Sequence, residues 1–366
     1  MKILPNRLDR AFELHQAEYE EAALRVLRSG HYLLGPEVKA FESEFGKYIG
    51  AKFCIGLANG LDALKIAFSI LNVGEGDEVI VQSNAYIACV MGITINGATP
   101  VFVEPNEYYS LDPSKIEAAI TKRTKAILVV HLYGQASDMK SIMEIADKHK
   151  LYVVEDCAQS HGAGQNGVKT GSFGDVGCFS FYPSKNVGAF GDAGAVVVNC
   201  KKLDEDFRVY RNYGSEQRYY NKVIGTNSRL DELQAALLRV RLAHIAKANN
   251  ERVKLCRNYL ENIRNPHIEL PKIQTGCETV WHQFVVLTKN RDNFSNYLEE
   301  KGIGTIIHYP IPPYLSEAYA YLGYKKGSFP IAEQFADTIL SLPLYIGMTE
   351  TEQGYVIEAI NKYGGA

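Results

Sequence analysis

The sequence predicts an α/β fold in which a mostly parallel sheet is flanked by helices. Between about residues 50 and 200, short segments rich in β-branched residues alternate with longer helical patterns. These short segments are nearly continuous apolar runs, as expected for strands buried on both faces. Such an alternation predicts a sheet with helices packed on each side. The predicted strands are 54–58, 78–82, 100–104, 125–132, 151–156, 176–181 and 193–199.

Helical patterns fill the gaps between these strands, at 60–72, 86–96, 113–121 and 138–149. The last of them begins at Ser137-Asp138, a pair typical of a helix N-terminus. A long pattern rich in Leu, Ala, Arg and Glu then predicts one helix over 229–263, which would bridge to a second domain.

A smaller α+β unit is predicted at the C-terminal end. It contains strand-like segments at 281–288 and 304–310, a helix over 291–301 and an acidic last helix. The length of 366 residues exceeds one typical domain. We therefore expect a large domain over 1–245 and a small domain over 246–366.

Composition argues against several classes of protein. The net charge of −3, with both signs interspersed, gives no basic surface for nucleic acid or for an anionic membrane. No apolar run approaches the roughly 18 residues of a membrane helix, and no signal peptide is visible. Seven cysteines without a CxxC pair predict free thiols in a reducing cytoplasm. The nine histidines lack metal-ligand spacing, so no metal site is predicted.

Four chemically distinct side chains follow two of the predicted strands. Asp156 ends one strand, with Gln159 a helical turn later, and Ser180 ends another, with Lys185 shortly after it. Singly, each has a structural interpretation: a solvated lysine, a capping aspartate or a small core serine. Together they match the needs of pyridoxal 5'-phosphate (PLP), namely an amine, an anion for the pyridine nitrogen, and donors for the phenolate and phosphate. We therefore expect a PLP site at the ends of these strands.

Over nearly its whole length the chain resembles the DegT-type nucleotide-sugar aminotransferases, which are fold type I PLP enzymes. The motifs that carry the resemblance are GHYLLGPEVKAFESEF (30–45), GLANGLDALKIA (56–67), VQSNAYIAC (81–89), VEDCAQSHGA (154–163), GCFSFYPSKNVGAFGDAGAVV (177–197), RNYG (211–214), GTNSRLDELQAA (225–236) and HYPIPPY (308–314).

The resemblance implies a role for each cofactor-binding residue. Lys185 would bind the cofactor covalently and then move the proton between the substrate carbon and the cofactor. Asp156 would keep the pyridine nitrogen protonated, Gln159 would bind the ring hydroxyl, and Tyr86 would stack on the ring face. The phosphate would lie at the helix N-terminus formed by Gly60 and Leu61, helped by Ser180. Asn227 would reach that phosphate from the neighbouring subunit, which implies a homodimer with shared active sites.

Some of these residues have alternative interpretations. Tyr86 could be a core aromatic residue, and Asn59-Gly60 is also a common turn pair. Asn227 could cap a helix beginning near Arg229. The segment 308–314 could equally be a proline-braced turn.

The same resemblance implies a set of substrate contacts. Its members are His161, Tyr182, His308 and Tyr314 for the sugar, with Arg218, Lys222 and Arg229 as candidate cations for the diphosphate. His161 and His308 could instead be packed or surface histidines. Many relatives carry histidine at the positions of Asn221 and Tyr314, so this part of the pattern departs from the family.

The function implied is transfer of an amino group from L-glutamate to C3 of a dTDP-linked 3-keto-6-deoxyhexose, in the cytoplasm. The product would be a dTDP-3-amino-3,6-dideoxyhexose for a polysaccharide, glycan or secondary metabolite. The alternatives are a C4 aminotransferase acting on a UDP-linked 4-keto sugar, a PLP-dependent sugar dehydratase, and a regulatory protein that retained the fold. Because Lys185 and Asp156 are both present, transamination is favoured.

Overall fold

The computed structural model describes residues 1–365. Its α-helices are α1 (Leu8–Glu13), α2 (Gln16–Ser29), α3 (Pro36–Ile49), α4 (Gly60–Ile70), α5 (Ile87–Thr94), α6 (Pro113–Ala119), α7 (Met139–His149), α8 (Lys201–Tyr210), α9 (Glu232–Ala243), α10 (Ile245–Asn262), α11 (Arg291–Glu300), α12 (Pro330–Thr338) and α13 (Glu350–Asn361). Its strands are β1 (Phe53–Leu57), β2 (Glu78–Gln82), β3 (Thr99–Val103), β4 (Thr124–Val130), β5 (Tyr152–Asp156), β6 (Gly164–Gln165), β7 (Val168–Lys169), β8 (Val176–Ser180), β9 (Gly194–Val198), β10 (Ser215–Gln217), β11 (Tyr220–Asn221), β12 (Cys277–Glu278), β13 (Phe284–Leu287) and β14 (Ile339–Leu342). Three 3₁₀ turns lie at Leu132–Gly134, Pro313–Leu315 and Glu317–Leu322.

A seven-stranded sheet forms the centre of the molecule, in the order β1-β9-β8-β5-β4-β2-β3. The pairs β8/β5, β5/β4, β4/β2 and β2/β3 are parallel, whereas β9 runs antiparallel to both of its neighbours. The predicted α/β class and its mostly parallel sheet are therefore confirmed. Each of the seven predicted strands corresponds to one strand of this sheet.

Side-chain caps explain where several helices begin. Asn59, Asp112 and Asp138 each accept a hydrogen bond from a backbone N–H in the first turn of α4, α6 and α7, respectively. The cap at Asp138 confirms the helix start predicted from Ser137-Asp138. Each of these helices is the first α-helix after a strand of the sheet, and its cap fixes where that helix begins.

The predicted helix over 229–263 is two helices, because the chain leaves helical geometry at His244 (φ −103°, ψ 1°). Helix α9 packs against α2 and α3 beside the large sheet, whereas α10 places Leu255 and Tyr259 in a second core. One straight helix would not pack its apolar side chains into both of these separate cores. The break at His244 reconciles the two packings.

The second hydrophobic core lies mostly in the C-terminal part of the chain. Tyr259, Phe284, Phe294 and Val356 are fully buried there, and Ile3 from the N-terminus joins them through a bridge to Ile303. The expectation for 304–310 was a strand, but this segment is irregular with one bridge residue, and the β-pairing is made by β13 and β14 instead. The division into domains at 245/246 stays a prediction, and Ile3 shows that the N-terminus packs with the second unit.

None of the helices within residues 1–365 combines the length and the apolar character that a membrane span requires.

Candidate active site

The carboxyl ends of the parallel strands bring the predicted cofactor residues to one edge of the sheet. Strand β1 leads to Asn59-Gly60, β2 leads to Tyr86, β5 ends at Asp156, and β8 ends at Ser180. In sheets of this kind, ligands bind beyond the carboxyl ends of the strands. The arrangement therefore places these residues where a small-molecule site is expected.

Lys185 lies in the loop between β8 and β9, which is fixed at several points. At the base of the loop, Phe181 N–H donates to the carbonyl of Ala193 at 2.8 Å, and Val187 N–H donates to His161 Nδ1 at 3.1 Å. Burial lowers the pKa of Lys185 to about 8, although the negative charge of Asp156 acts in the opposite direction. At pH 7 roughly a tenth of this amine is therefore unprotonated and able to act as a nucleophile, far more than for an ordinary lysine.

Asp156 is 7% exposed and accepts two hydrogen bonds. The N–H of Ala158 donates to Oδ1 at 3.0 Å, and the thiol of Cys89 donates to Oδ2 at 3.0 Å. Together the two contacts fix the orientation of the carboxyl group. A buried carboxylate held in this way is suited to pair with a protonated ring nitrogen.

Gln159 presents its amide NH₂ group to the site. Its Oε1 accepts from the backbone N–H of Tyr133 at 2.7 Å, and its Nε2 donates to the hydroxyl of Tyr309 at 3.0 Å. Because a backbone N–H can only donate, the contact with Tyr133 fixes which end of the amide is the oxygen. The side chain is thus arranged to donate to an oxygen such as a phenolate.

Tyr86 is exposed, at 46%, and its ring centroid lies 4.8 Å from that of Tyr309. The alternative interpretation of Tyr86 as a core aromatic residue is therefore wrong. Its ring is available to cover one face of a planar ligand.

The start of α4 forms a cradle for an anion. A side chain at Gly60 would put its Cβ 2.5 Å from the Cβ of Ser180, so only glycine allows this approach. The N–H groups at the start of a helix lack intrahelical acceptors, and the helix dipole favours negative charge there. Asn59 takes up the N–H of Asp62 at 2.8 Å, while Gly60 and Leu61 begin the helix. This cradle fits a phosphate group.

Two predicted substrate residues lie close to the lysine loop. Tyr182 is within the loop and is 55% exposed. His308 is partly buried, and its Nδ1 lies 2.8 Å from the hydroxyl oxygen of Ser341. Burial, followed by the charge of Lys185, lowers the pKa of His308 to about 4, so its ring is neutral at pH 7.

His161 and Tyr314 are placed differently from the expectation. His161 is fully buried among aromatic rings, with Phe179 stacked against it at 5.7 Å, and its Nδ1 accepts from Val187. Tyr314 is 1% exposed, and its hydroxyl donates to Glu333 at 2.8 Å. Both side chains pack in the interior of the described structure, and their roles as sugar contacts stay predictions.

The candidate diphosphate cations lie on and beside the β10–β11 hairpin. Arg218 stacks on Tyr219 at 5.0 Å, and Lys222 lies 3.5 Å from Glu216. Arg229 donates to Asn212 at 3.1 Å. Within residues 1–365, the structure records no hydrogen bond or ion pair from these three cations to Lys185 or Asp156.

Asn227 is exposed and does not cap a helix, because α9 begins at Glu232 with Asp231 as its N-cap residue. The capping interpretation is therefore wrong. The next residue, Ser228, accepts a hydrogen bond from the N–H of Ala58 at 3.1 Å, so this segment runs beside the anion cradle of its own subunit.

A family model described as the DegT/DnrJ/EryC1/StrS aminotransferase family matches residues 14–361. The chain belongs to this family. The resemblance inferred from the motifs is confirmed, and the protein is an aminotransferase.

Three known proteins illustrate how close the similarity is. A dTDP-3-amino-3,6-dideoxy-alpha-D-galactopyranose transaminase of Aneurinibacillus thermoaerophilus is 52% identical over 96% of each chain. The crystal structure of Streptomyces venezuelae DesV, in complex with a ketimine intermediate, superimposes with a TM-score of 0.97 at 47% identity, covering 98% of each chain. NtdA from Bacillus subtilis, with bound cofactor PMP, gives a TM-score of 0.88 at 30% identity, covering 94% of this chain and 81% of that one.

The cofactor of the aminotransferase is PLP, and the site fits it. A glycine-lined anion cradle, an amine with a lowered pKa, a buried carboxylate and an oriented amide donor occur together at one sheet edge. When bound, PLP supplies an electron sink that stabilises negative charge at the carbon bearing the amino group.

Three residues of the aminotransferase site were not predicted from the sequence. They are Cys89, Tyr133 and Tyr309, which contact Asp156 or Gln159. Tyr309 lies within the motif HYPIPPY, of which only the first and last residues, His308 and Tyr314, were predicted to be contacts. Tyr133 owes its place to a left-handed backbone (φ 58°), a tertiary feature with no signature in the sequence.

Proposed function

We propose that the enzyme transfers an amino group from L-glutamate to C3 of a dTDP-linked 3-keto-6-deoxyhexose, giving a dTDP-3-amino-3,6-dideoxyhexose. The observation that carries this proposal is the 52% identity, over 96% of each chain, to a transaminase named for such a dTDP-3-amino-3,6-dideoxy sugar. The choice of glutamate as donor rests on the resemblance to the family.

In this proposal each residue at the sheet edge has one task. The amine of Lys185 moves a proton to and from the carbon that gains or loses the amino group. Asp156 keeps the ring nitrogen protonated, and Gln159 donates to the ring hydroxyl. Tyr86 covers one face of the ring. Supporting the assignment, Lys185 has a lowered pKa and Gln159 is oriented as a donor.

We propose that the phosphate-binding site is formed by residues of two subunits. Gly60, Leu61 and Ser180 of one subunit would line the cradle, and Asn227 would come from the second copy. The exposure of Asn227 and its lack of a capping role support a task outside its own helix. The enzyme would therefore act as a homodimer.

Two half-reactions share this site. Glutamate donates the amino group and leaves as 2-oxoglutarate before the keto sugar enters. The cofactor would carry the amino group from glutamate to the keto sugar, and the two substrates would use the same site in turn, so ping-pong kinetics are expected. Tyr182 and His308 would contact the sugar, and Arg218, Lys222 or Arg229 would bind the diphosphate. The free cysteines are compatible with the cytoplasm, where we place the enzyme.

The position of amination is tested with two matched substrates. The enzyme is incubated with glutamate and either the 3-keto or the 4-keto form of the same dTDP-6-deoxyhexose, and the product is assigned by NMR. A site built for the C3 carbonyl holds the C4 carbonyl out of line, at a rate cost of roughly 100-fold per ångström. Faster amination of the 4-keto sugar would overturn C3 while leaving transamination intact.

A further inference from the structure

A buried thiol contacts the carboxylate proposed to bind the ring nitrogen. Cys89 lies in the first turn of α5 and is 1% exposed, and its Sγ is 3.0 Å from Oδ2 of Asp156. Burial and the charge of Asp156 hold the pKa of the Cys89 thiol well above its usual value. The thiol therefore keeps its proton and acts as a hydrogen-bond donor to the carboxylate.

The contact is selective among the sulfur atoms around Asp156. Cys178, on the neighbouring strand β8, is equally buried and stands beside Asp156 in the sheet register. In the part of the chain that the structure describes, no hydrogen bond joins the Cys178 thiol to Asp156. Proximity alone thus does not produce the interaction, whereas the position of Cys89 on α5 does.

Helix α5 connects the thiol with the ring-covering tyrosine. Tyr86 is the N-cap residue of α5, and the N–H of Cys89 donates to the carbonyl of Tyr86 at 3.0 Å. Residues three apart lie on the same side of a helix. A single helical turn therefore fixes both the ring that would cover the cofactor and the donor that holds its carboxylate.

We propose that Cys89 is a positioning residue which orients Asp156 and keeps the shared proton on the ring nitrogen of the cofactor. The inference rests on the proposed role of Asp156. A donor to a carboxylate favours its charged form, so the ring nitrogen retains the proton. A neutral thiol gives this effect without adding a positive charge, which would compete with the protonated ring for the carboxylate.

Two pairs of variants separate the hydrogen bond from the space that the side chain fills. Cys89→Ser and Cys89→Thr keep a donor, whereas Cys89→Ala and Cys89→Val lack one, and Thr and Val have nearly the same shape. The holoenzyme is loaded with PLP labelled with ¹⁵N in the ring. In the variants Cys89→Ala and Cys89→Val we expect the ¹⁵N signal to move toward that of the unprotonated ring nitrogen and kcat to fall roughly tenfold. In the variants Cys89→Ser and Cys89→Thr, the ¹⁵N signal and kcat should stay near those of the wild-type enzyme.

Two further variants make the outcome decisive. Cys178→Ala, a matched loss of a buried thiol, should leave the ¹⁵N signal unchanged. Asp156→Asn should move the signal strongly, because an amide does not stabilise the protonated ring. If Asp156→Asn moves the signal but the Ala and Val variants match Ser and Thr, the role of Cys89 is wrong and that of Asp156 stands. If Asp156→Asn leaves the signal unchanged, the assignment of Asp156 itself fails.

Discussion

Three histidines near the amine of Lys185 remain uncharged at pH 7. His161, His282 and His308 all have lowered pKa values, caused first by burial and then by the charge of Lys185. These rings are therefore neutral at pH 7 and line the lysine loop without repelling a cationic ligand. The negative charge of Asp156 acts in the opposite direction from burial and stabilises the protonated amine of Lys185. The balance between burial and this carboxylate sets the reactivity of Lys185.

The lowered pKa of Lys185 predicts how the apoenzyme captures PLP. Only the unprotonated amine attacks an aldehyde, so the rate of covalent capture should rise with pH and level off above about pH 8. Stopped-flow absorbance of the apoenzyme mixed with PLP measures this profile. Lys185→Ala should show no covalent capture and no turnover, yet still bind PLP through its phosphate. A rate that keeps rising well beyond this range would mean that the amine has an ordinary pKa.

The close approach of Gly60 to Ser180 predicts the effect of a single methyl group. Gly60→Ala would put its Cβ 2.5 Å from that of Ser180, so the cradle must shift and PLP should bind at least tenfold more weakly. Fluorescence titration of the apoenzyme measures the affinity. Gly354→Ala is the matched control, since its Cβ meets no atom within 4 Å. Equal PLP affinity in the two variants would show that the phosphate does not bind in this cradle.

At the scale of elements, the segments that follow the strands contain the site and also a buried histidine that makes the stability of the fold depend on pH. His161 follows β5, and its Nδ1 accepts from Val187 in the loop after β8. Burial lowers the pKa of His161 from 6.5 to about 3. Over this interval the unfolded chain binds one more proton than the folded chain at this residue. The histidine that braces the lysine loop therefore makes the fold less stable in acid.

We expect the free energy of unfolding to fall as the pH drops below about 6.5, by about 1.4 kcal/mol per pH unit for each such histidine. The variant His161→Gln should have a lower free energy of unfolding overall. Its dependence on pH should be smaller by about 1.4 kcal/mol per pH unit, which corresponds to the loss of one titrating group. Urea unfolding of the apoenzyme at several pH values gives the slope. His267→Gln changes an exposed histidine and should leave it as in wild type. An unchanged slope in His161→Gln would show that this histidine is protonated in the folded state.

The sequence was most informative where one local rule decides the structure. Strand β2 was predicted with its observed bounds, because a short apolar run admits few alternatives, and the cap at Asp138 located α7. The break at His244 was missed, since the helical pattern continues through it and only the separate packing of α9 and α10 requires it. The burial of Tyr314 was not predicted, because motif position does not say which way a side chain points. For His161 the same ambiguity left a packed histidine as an open alternative.

At the scale of the whole molecule, the described chain exposes large apolar side chains beside the β10–β11 hairpin. Tyr219 is 81% exposed, Tyr220 71% and Ile224 95%. Apolar groups concentrated in this way favour contact with a partner. The hairpin lies in the sequence just before Asn227, the residue proposed to serve the second subunit. A homodimer would cover these side chains and bring Asn227 to the neighbouring cradle.

Subunit sharing predicts complementation between two impaired variants. Lys185→Ala removes the amine and Asn227→Ala removes the proposed cross-subunit phosphate contact. In a mixed dimer, one of the two sites then contains both native residues, so activity should rise above that of either variant alone. Mixed dimers purified through two different affinity tags give the measurement. Mixed dimers no more active than the average of the two parents would mean that each subunit builds its own site.

The reversed strand β9 has a consequence for how far the amine travels. Because β9 runs against β8, residues 181–193 leave the sheet and re-enter it at the same edge, and the two strands close the base of the loop. A parallel connection would have needed a longer crossover, usually a helix, between the two strands. Here the loop that carries Lys185 is tied to the sheet at both of its ends. The reach needed to deliver a proton would therefore come from the four methylene groups of the lysine side chain.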